Sequence, residues 1–319
     1  MNNLFLGVDT SNYTTSLCLY DGDKIIADVR RLLPVKEGQR GLRQSDAVFF
    51  HTKALPELSE ELFSNAGYSP ERLRAVGASQ TPRDAEGSYM PCFLTGMSFA
   101  SGIAHALKLP MYGFSHQAGP ISAAVSSCGK PETFLDGDFF AFHVSGGTTE
   151  ALICRYDGKT FDCHAVGGTS DASAGQMIDR AGVMAGLKFP CGKELDGLSL
   201  KSAKKLPLCV SVKDAYFSMS GLENKTAEYL NNGEDIADVA RFLFLSIARA
   251  VSECVRALRQ KYGYKPVLFA GGVMSNTLIR RELSELDGAY FASPRLSCDN
   301  ACGTAILAYK RHKSILEGT

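Results

Sequence analysis

The segment Asp9-Thr10-Ser11-Asn12-Tyr13-Thr14-Thr15 has a near copy far downstream, His143-Val144-Ser145-Gly146-Gly147-Thr148-Thr149. Ser11 and Ser145 correspond at an offset of 134 residues, and each segment leads into a short apolar run that ends in Tyr-Asp-Gly. A strand, a small polar turn, a second strand and an Asp-Gly turn together predict a β-hairpin in each copy. Two matching hairpins half a chain apart are compatible with a duplicated domain and also with a chance similarity between two common turns.

Helix and strand signals alternate in the second half of the chain. Apolar residues recur at helical spacing from Asp235 to Tyr262, and Gly263 marks the end of this predicted helix. The next apolar run, Val267 to Ala270, has the continuous pattern of a buried strand, and Gly271-Gly272 separates it from another helical segment. This alternation predicts an α/β fold.

The composition is that of a globular protein without a general affinity for polyanions. The 319 residues are 45% hydrophobic and 21% charged, and 34 basic residues balance 34 acidic ones. Zero net charge excludes a basic coat for nucleic acid, although a local basic patch is compatible with it. The ten cysteines are scattered without a CxxC pair. No disulfide is therefore expected, and a reducing cytoplasm is the predicted location.

The stretch from Gly87 to Leu107 carries no formal charge but is a poor candidate for a membrane span. Pro91, His105 and several hydroxyl residues dilute its hydrophobicity. We expect a buried helix in which Gly96 and Gly102 allow close packing, and no association with a membrane.

Two glycine turns are candidates for binding a phosphorylated ligand. The turn from Ser145 to Thr149 presents consecutive backbone N–H groups without obstruction by side chains, although a plain glycine hairpin has the same pattern. Gly271-Gly272 follows a buried strand, where an α/β sheet leaves room for a ligand. Asn276 can hydrogen-bond a ribose or a base, but tight packing and a solvated Asn explain the same residues. Asp9, in the first turn, can hold a metal or a water.

Seven short motifs follow one another along almost the whole chain: Gly7 to Ser11, Val144 to Gly147, Ala174 to Arg180, Pro190 to Gly192, Phe217 to Leu222, Ala270 to Asn276, and Asp299-Asn300. Each motif alone is weak, but the ordered set resembles the TsaD family. Members of this family are tRNA N6-threonylcarbamoyladenosine transferases, formerly labelled O-sialoglycoprotein endopeptidases or glycoproteases. No nucleophile–base pair or zinc-protease motif in this sequence supports the older label.

The resemblance implies an α/β fold of two duplicated, actin-like lobes, similar to those of Hsp70 and sugar kinases, around a nucleotide-binding cleft. Such a fold accounts for the repeated hairpin. Residues 1–114 and 305–319 are expected to form the N-terminal lobe. Residues 115–304 are expected to form the C-terminal lobe, with an insertion near residues 190–234.

The activity that the resemblance implies is transfer of a threonylcarbamoyl group from threonylcarbamoyl-AMP to N6 of adenosine 37 in tRNA. The motifs and the glycine turns together predict a set of residues that contact the nucleotide-like substrate. This set is Asp9, Ser11, His143, Val144, Ser145, Gly146, Gly147, Asp179, Gly192, Gly271, Gly272 and Asn276. His116 and Asp299 are the implied metal ligands.

Several positions depart from the family pattern around the expected metal. Pro120 stands where the family has its second metal-binding histidine, four residues after His116, and a proline cannot coordinate a metal. The further departures are Tyr13-Thr14, Thr148, Gln176 and Glu223. Iron or zinc is therefore a poor expectation, whereas magnesium held by phosphates and by a carboxylate such as Asp9 fits better. ATP or an adenylate is the expected nucleotide.

These departures leave three functions open. The first is a TsaD-type transferase that acts on tRNA. The second is a divergent paralogue, which transfers another carbamoyl group or uses ATP on a small substrate. The third is a nucleotide-binding partner without catalysis, which forms a homodimer or a heterodimer with a related actin-like protein.

Overall fold

The computed structural model describes residues 3–11, 13–34, 42–65, 69–297 and 301–318. The chain forms two compact units, each of which is made from more than one segment. Unit 1 comprises Met1–Ser126, Tyr156–Cys163 and Asp299–Thr319, and unit 2 comprises Ser127–Arg155 and His164–Cys298. The lobe boundaries expected from the sequence stay a prediction.

Unit 1 is built on a five-stranded sheet. Its strands are β1 (Leu4–Asp9), β2 (Thr14–Tyr20), β3 (Ile25–Leu32), β4 (Leu73–Thr81) and β5 (Met111–Ser115). They lie in the order β3-β2-β1-β4-β5. The first three strands form an antiparallel meander, whereas β4 and β5 run parallel to β1. The helices of this part of the chain are α1 (Gln44–Asn65), α2 (Cys92–Ala106), α3 (Ala118–Ser127) and α9 (Cys302–Glu317).

Unit 2 contains a seven-stranded sheet. Its strands are β6 (Asp138–Val144), β7 (Thr149–Tyr156), β8 (Phe161–Thr169), β9 (Val212–Lys213), β10 (Tyr216–Phe217), β11 (Val267–Ala270) and β12 (Ala289–Phe291). They lie in the order β12-β11-β6-β7-β8-β10-β9. Its helices are α4 (Ala174–Met184), α5 (Gly192–Ser199), α6 (Ser220–Asn231), α7 (Ile236–Tyr262) and α8 (Thr277–Ser284).

The strand order shows that the fold is duplicated. The series β8-β7-β6-β11-β12 repeats the series β3-β2-β1-β4-β5. As in unit 1, the central strand β6 pairs antiparallel with β7 and parallel with β11, which in turn runs parallel to β12. The two repeated sequence segments join β1 to β2 and β6 to β7, so they occupy equivalent places in the two sheets. The α/β fold predicted from the sequence is confirmed.

The predicted helix near residues 235–262 is confirmed as α7, which forms much of the core of unit 2. Asp235 caps its first turn by accepting a hydrogen bond from the backbone N of Ala237 at 2.7 Å. Gly263 ends the helix with a φ of 80°, a conformation that favours glycine. The buried side chains of α7 include Leu243, Ile247 and Val251, which recur at helical spacing.

The predicted helix in the uncharged stretch is α2, and its two glycines differ. Gly96 packs against β1 and the turn after it, since an added Cβ would lie 2.7 Å from Thr10 Oγ1. The expectation for Gly102 is wrong, because an added Cβ there would meet nothing within 4 Å. Among the residues that the structure describes, no helix is long and apolar enough to cross a membrane.

Candidate functional site

A pocket of about 410 Å³ lies in unit 2 beside the turn between β6 and β7. The turn, α4, α5 and a short 3-10 turn at Gly272–Ser275 contribute its walls. Five residues predicted from the sequence line this pocket: Gly146, Asp179, Gly192, Gly272 and Asn276. The structure therefore brings together residues that are separated by up to 130 positions in the chain.

The turn between β6 and β7 leaves its glycines open. The backbone N of Ser145 donates to Thr148 O at 2.7 Å, and the backbone N of Thr148 donates to Ser145 Oγ at 3.2 Å. An added Cβ on Gly146 or on Gly147 would meet nothing within 4 Å. The turn is thus closed by its own hydrogen bonds, while the space beside its glycines is free for a ligand.

Helix α4 begins against this turn. An added Cβ on Gly175 would lie 2.5 Å from Gly146 Cα, so only glycine allows this approach. Ser173 Oγ donates to Gly146 O at 2.6 Å and also accepts from the backbone N of Gln176. Gln176 in turn accepts from the backbone N of Ser173, which completes a capping box. The amide of Gln176 therefore serves the capping role that a glutamate would serve at the same position.

Asp179, one turn further along α4, holds the segment around Cys191, which forms another side of the pocket. Its Oδ1 accepts a hydrogen bond from the backbone N of Cys191 at 2.8 Å. Gly182 lets the two segments approach, because an added Cβ there would lie 2.2 Å from the Cβ of Cys191. These contacts place Pro190 and Gly192 along the rim of the pocket.

Asn276 is held by an aspartate that sequence reasoning missed. Its Nδ2 donates to Asp196 Oδ1 at 2.8 Å, and its Oδ1 accepts from the backbone N of Ile279, which caps α8. Asp196 also accepts from the backbone N and the hydroxyl of Thr277. Asp196 lines the pocket together with Lys193 and Phe244, which were also missed. Asp196 could have been found from its spacing in the sequence, because it lies four residues after Gly192 on the same helix and residues four apart share one face of a helix.

The other predicted residues of unit 2 support the pocket without lining it. These are His143, Val144, Ser145, Gly147 and Gly271. Ala270 and His143 are paired across β11 and β6, so the ends of the two strands lie side by side. Gly271 has a φ of 101°, and an added Cβ would lie 2.1 Å from Val144 O. Glycine is required at this position by both its conformation and its close approach to β6.

Asp9, Ser11 and His116 lie together in unit 1. Asp9 is 2% exposed, and its carboxylate accepts from the backbone N and the hydroxyl of Ser11 at 3.1 and 3.0 Å. Nδ1 of His116 lies 3.1 Å from Asp9 Oδ2. Burial acts to raise the pKa of Asp9, but the charge of His116 and hydrogen bonds from His116, Ser11 and Ser79 outweigh it and lower the pKa.

The donor set around His116 does not fit a tight transition-metal site. One imidazole nitrogen already contacts Asp9, and Pro120 is a fully buried residue of α3. Asp299, the other predicted ligand, lies outside the described residues. In the part of the chain that the structure describes, no three His, Cys, Asp or Glu side chains form a group that could hold a metal ion.

Comparison with solved structures assigns the class of the fold. One similar structure is component A of the Acidaminococcus fermentans (R)-2-hydroxyglutaryl-CoA dehydratase, with a TM-score of 0.60, 19% identity and coverage of 98% of this chain and 99% of that one. Another is nucleotide-bound full-length HypF, with a TM-score of 0.55, 14% identity and coverage of 97% and 55%. The protein is an actin-like α/β protein with two related sheets.

Comparison of sequences then assigns the family. The profile of TsaD, tRNA N6-adenosine threonylcarbamoyltransferase, matches residues 37–306. A Thermus thermophilus protein of that name is 31% identical over 97% of this chain and 93% of its own length. The Oenococcus oeni protein of that name is 30% identical over 99% of this chain and 94% of its own length. The chain belongs to the TsaD family, as its ordered motifs predict.

Proposed function

We propose that this protein transfers a threonylcarbamoyl group from threonylcarbamoyl-AMP to N6 of an adenosine in tRNA. The observation that carries the proposal is the unit 2 pocket, which is lined by five of the site residues predicted from the sequence, in a chain that belongs to the TsaD family. In the reaction, N6 attacks the carbamoyl carbon, a C–N bond forms and the bond from that carbon to the phosphate oxygen breaks. AMP leaves with the electron pair of that bond, and N6 loses a proton.

The pocket residues are proposed to hold the AMP part of the donor. The open turn at Gly146 gives the phosphate room beside the backbone. The N-terminus of α4, which packs against this turn, adds a partial positive charge. Asp179 and Asp196 supply acceptors for ribose hydroxyls. Phe244 supplies an apolar wall. Holding the leaving group in one orientation favours attack at the carbamoyl carbon, since it removes the entropy cost of alignment.

Binding of the adenylate tests the pocket directly. We expect the full chain to bind AMP in a calorimetric titration and Gly146→Val to weaken that binding at least about tenfold, because a branched side chain would occupy the phosphate space. Gly102→Val is the matched control, because its site in unit 1 is equally open. The control should bind AMP like the wild type.

Transfer is tested with synthetic threonylcarbamoyl-AMP and tRNA, followed by digestion of the tRNA and mass spectrometry of its nucleosides. Wild-type protein should produce N6-threonylcarbamoyladenosine, and Gly146→Val should produce much less. Absence of AMP binding at millimolar concentration would contradict the proposed pocket. AMP binding without transfer would contradict the proposed reaction and favour a nucleotide-binding partner.

A further inference from the structure

A second pocket of about 330 Å³ lies in unit 1 at the edge of its sheet. It extends from the edge strand β5 to α9 and to the tip of the hairpin between β7 and β8, which belongs to unit 1. Its polar side chains include Gln80, Tyr112, Ser115, Lys159, Thr160 and Arg311, and we refer to it as the β5 pocket. None of these residues takes part in the proposed transfer.

Two cations that form no ion pair within the described residues line the β5 pocket. Within the described ranges, neither Arg311 nor Lys159 forms an ion pair, although Asp84 lines the same pocket. Burial raises the pKa of Tyr112 and, together with the charge of Asp157, that of Tyr156, and the positive charge of Arg311 opposes the increase at both. The guanidinium therefore lies near two phenols but lacks a counter-charge of its own. An anionic ligand would supply the missing charge.

The buried hydroxyl of Ser115 adds a hydrogen-bond donor to the two cations of the β5 pocket. Ser115 is 8% exposed, and its Oγ accepts from the backbone N of Ala118 at 3.4 Å. Its own proton has no acceptor among the residues that the structure describes. Because a buried hydroxyl proton without an acceptor is unfavourable, a ligand oxygen in the pocket would satisfy it.

The walls of the β5 pocket are held in place by the backbone. The pairing of β4 with β5 shifts register between Ser79 and Thr81, which turns Gln80 across the edge strand. Its side-chain oxygen lies where a Cβ on Gly113 would be, only 2.0 Å away, so glycine is needed there. At the hairpin tip, Asp157 accepts from the backbone N–H groups of residues 159 and 160 at 2.8 and 2.7 Å.

We propose that the β5 pocket binds the phosphate monoester of a small hydroxylated molecule. Arginine and lysine together complement a phosphate dianion, and the serine, threonine and tyrosine hydroxyls can donate to its oxygens. The pocket is several times larger than a phosphate ion and has an acceptor, Asp84, for a hydroxyl of the attached carbon skeleton. This site is independent of the transfer pocket, which lies in unit 2.

The test is a calorimetric titration of the full chain with D-ribose 5-phosphate, inorganic phosphate and D-ribose. We expect ribose 5-phosphate and inorganic phosphate to bind and ribose not to bind. Arg311→Gln and Lys159→Gln should each weaken the binding of ribose 5-phosphate at least about tenfold, because each removes a charge-assisted contact. Lys159 is exposed at a hairpin tip, so its variant decides the test if Arg311→Gln does not fold.

Two controls distinguish binding in the β5 pocket from an effect of net charge and from binding in the transfer pocket. Lys313→Gln removes an exposed lysine from the same helix as Arg311 and should leave binding unchanged. Gly146→Val removes any binding of ribose 5-phosphate at the transfer pocket and should leave the binding that depends on Arg311 and Lys159 unchanged. Equal binding by wild type and by both pocket variants would overturn the proposal, as would binding of ribose as tight as that of ribose 5-phosphate. Loss of tRNA binding alone in Arg311→Gln would instead identify a polynucleotide contact and would also overturn it.

Discussion

At the scale of single residues, Asn276 shows how a motif residue depends on a neighbour outside the motif. Its amide oxygen caps α8, and one of its amide N–H groups is engaged by Asp196. The side chain is 8% exposed and has one conformation in which both bonds are made. Its presentation to the pocket is therefore set by Asp196, which is also the acceptor for Thr277.

The first residue prediction concerns the metal. We expect the protein, purified without added metal, to contain iron and zinc far below one ion per chain, because His116 already contacts Asp9 and Pro120 has no side chain that can bind a metal. Elemental analysis by mass spectrometry measures this content. Pro120→His should raise zinc binding in equilibrium dialysis, whereas Pro120→Gln, which removes the ring without adding an imidazole, should not. A stoichiometric, chelator-resistant iron or zinc in the wild type would contradict this prediction.

The second residue prediction concerns Lys310, whose Nζ lies 4.9 and 5.6 Å from the ring centroids of Tyr156 and Phe161. Burial lowers the pKa of Lys310 from 10.5 to about 8. Between pH 8 and 10.5, Lys310 is protonated in the unfolded chain and neutral in the folded chain. The cost of burying the charge is therefore fully present below pH 8 and disappears as the pH rises toward 10.5.

Replacing the lysine by methionine should remove this cost. We expect Lys310→Met to be more stable than the wild type at pH 7 by on the order of 2 kcal/mol, and the difference to shrink as pH rises from 8 to 10.5. Urea unfolding at several pH values measures the difference, with Lys313→Met, an exposed lysine of α9, as the control. A difference that does not change with pH would show that packing, not charge burial, dominates.

Residue patterns predicted part of the candidate site, and the reason for the remainder is physical. The turn glycines could be predicted because an open backbone turn, or a positive φ as at Gly271, favours glycine over other residues. Asp196 could be found only from its spacing to Gly192 on one helix. Lys193 and Phe244 give no local signal, because whether a residue lines the pocket depends on how distant segments pack together. The predicted Asp9 and His116 do lie together, but Asp299 falls outside the described residues, so its role stays a prediction.

At the scale of elements, some helix caps come from neighbouring residues in the sequence, whereas others come from residues far away in the chain. The cap of α4 is a capping box within four residues, Ser173 to Gln176, and such a pattern can be recognised in a sequence. Helix α6 has no cap from its own N-cap residue. Asp171, almost fifty residues earlier, instead accepts from the backbone N of Met219 and from the backbone N and hydroxyl of Ser220. A cap supplied from so far away leaves no local signal.

Asp171 should therefore stabilise α6 more than its exposed position suggests. Burial acts to raise its pKa, but hydrogen bonds from Ser218, Met219 and Ser220 outweigh it and lower the pKa. We expect Asp171→Asn to cost about 1–2 kcal/mol at pH 7, because hydrogen bonds to a charged acceptor are lost. The loss should shrink as the pH falls below about 4, because Asp171 of the unfolded chain becomes protonated there while the folded carboxylate, whose pKa is lower, still holds its charge.

Urea unfolding at pH 7 and at acidic pH measures this cost. Asp136→Asn is the matched control, since Asp136 is exposed and makes no hydrogen bond in the described part of the chain. The control changes the same charge and should leave the free energy of unfolding within about 0.5 kcal/mol of the wild type. Equal stability of Asp171→Asn and Asp136→Asn would show that the carboxylate does not act as a cap.

At the scale of the whole molecule, the order of elements in the chain differs from their order in the fold. Unit 1 is completed by α9, which follows all of unit 2 in the sequence. The repeated hairpins were compatible with a duplication, which the family resemblance implied, and β6 and β7 do repeat β1 and β2. Helix α9 approaches unit 1 closely at three glycines, Gly7 on β1, Gly77 on β4 and Gly119 on α3. The fit between these glycines and α9 cannot be recognised in the sequence, because the segments that meet are distant in the chain.

The last prediction follows from this closure of unit 1. An added Cβ on Gly303 would lie 1.8 Å from the carbonyl oxygen of Gly119, so the backbone of α9 or of α3 must shift to accept it. Gly303→Ala should cost on the order of 3 kcal/mol, because backbone cannot move aside as a flexible side chain does. Gly102→Ala is the matched control, since its added Cβ meets nothing and alanine favours a helix by about 1 kcal/mol. Hydrogen exchange should show the damage of Gly303→Ala in β1 and β4, against which α9 packs, although these strands lie more than two hundred residues away in the chain. Unchanged protection of β1 and β4 in Gly303→Ala would show that α9 is not required to close unit 1.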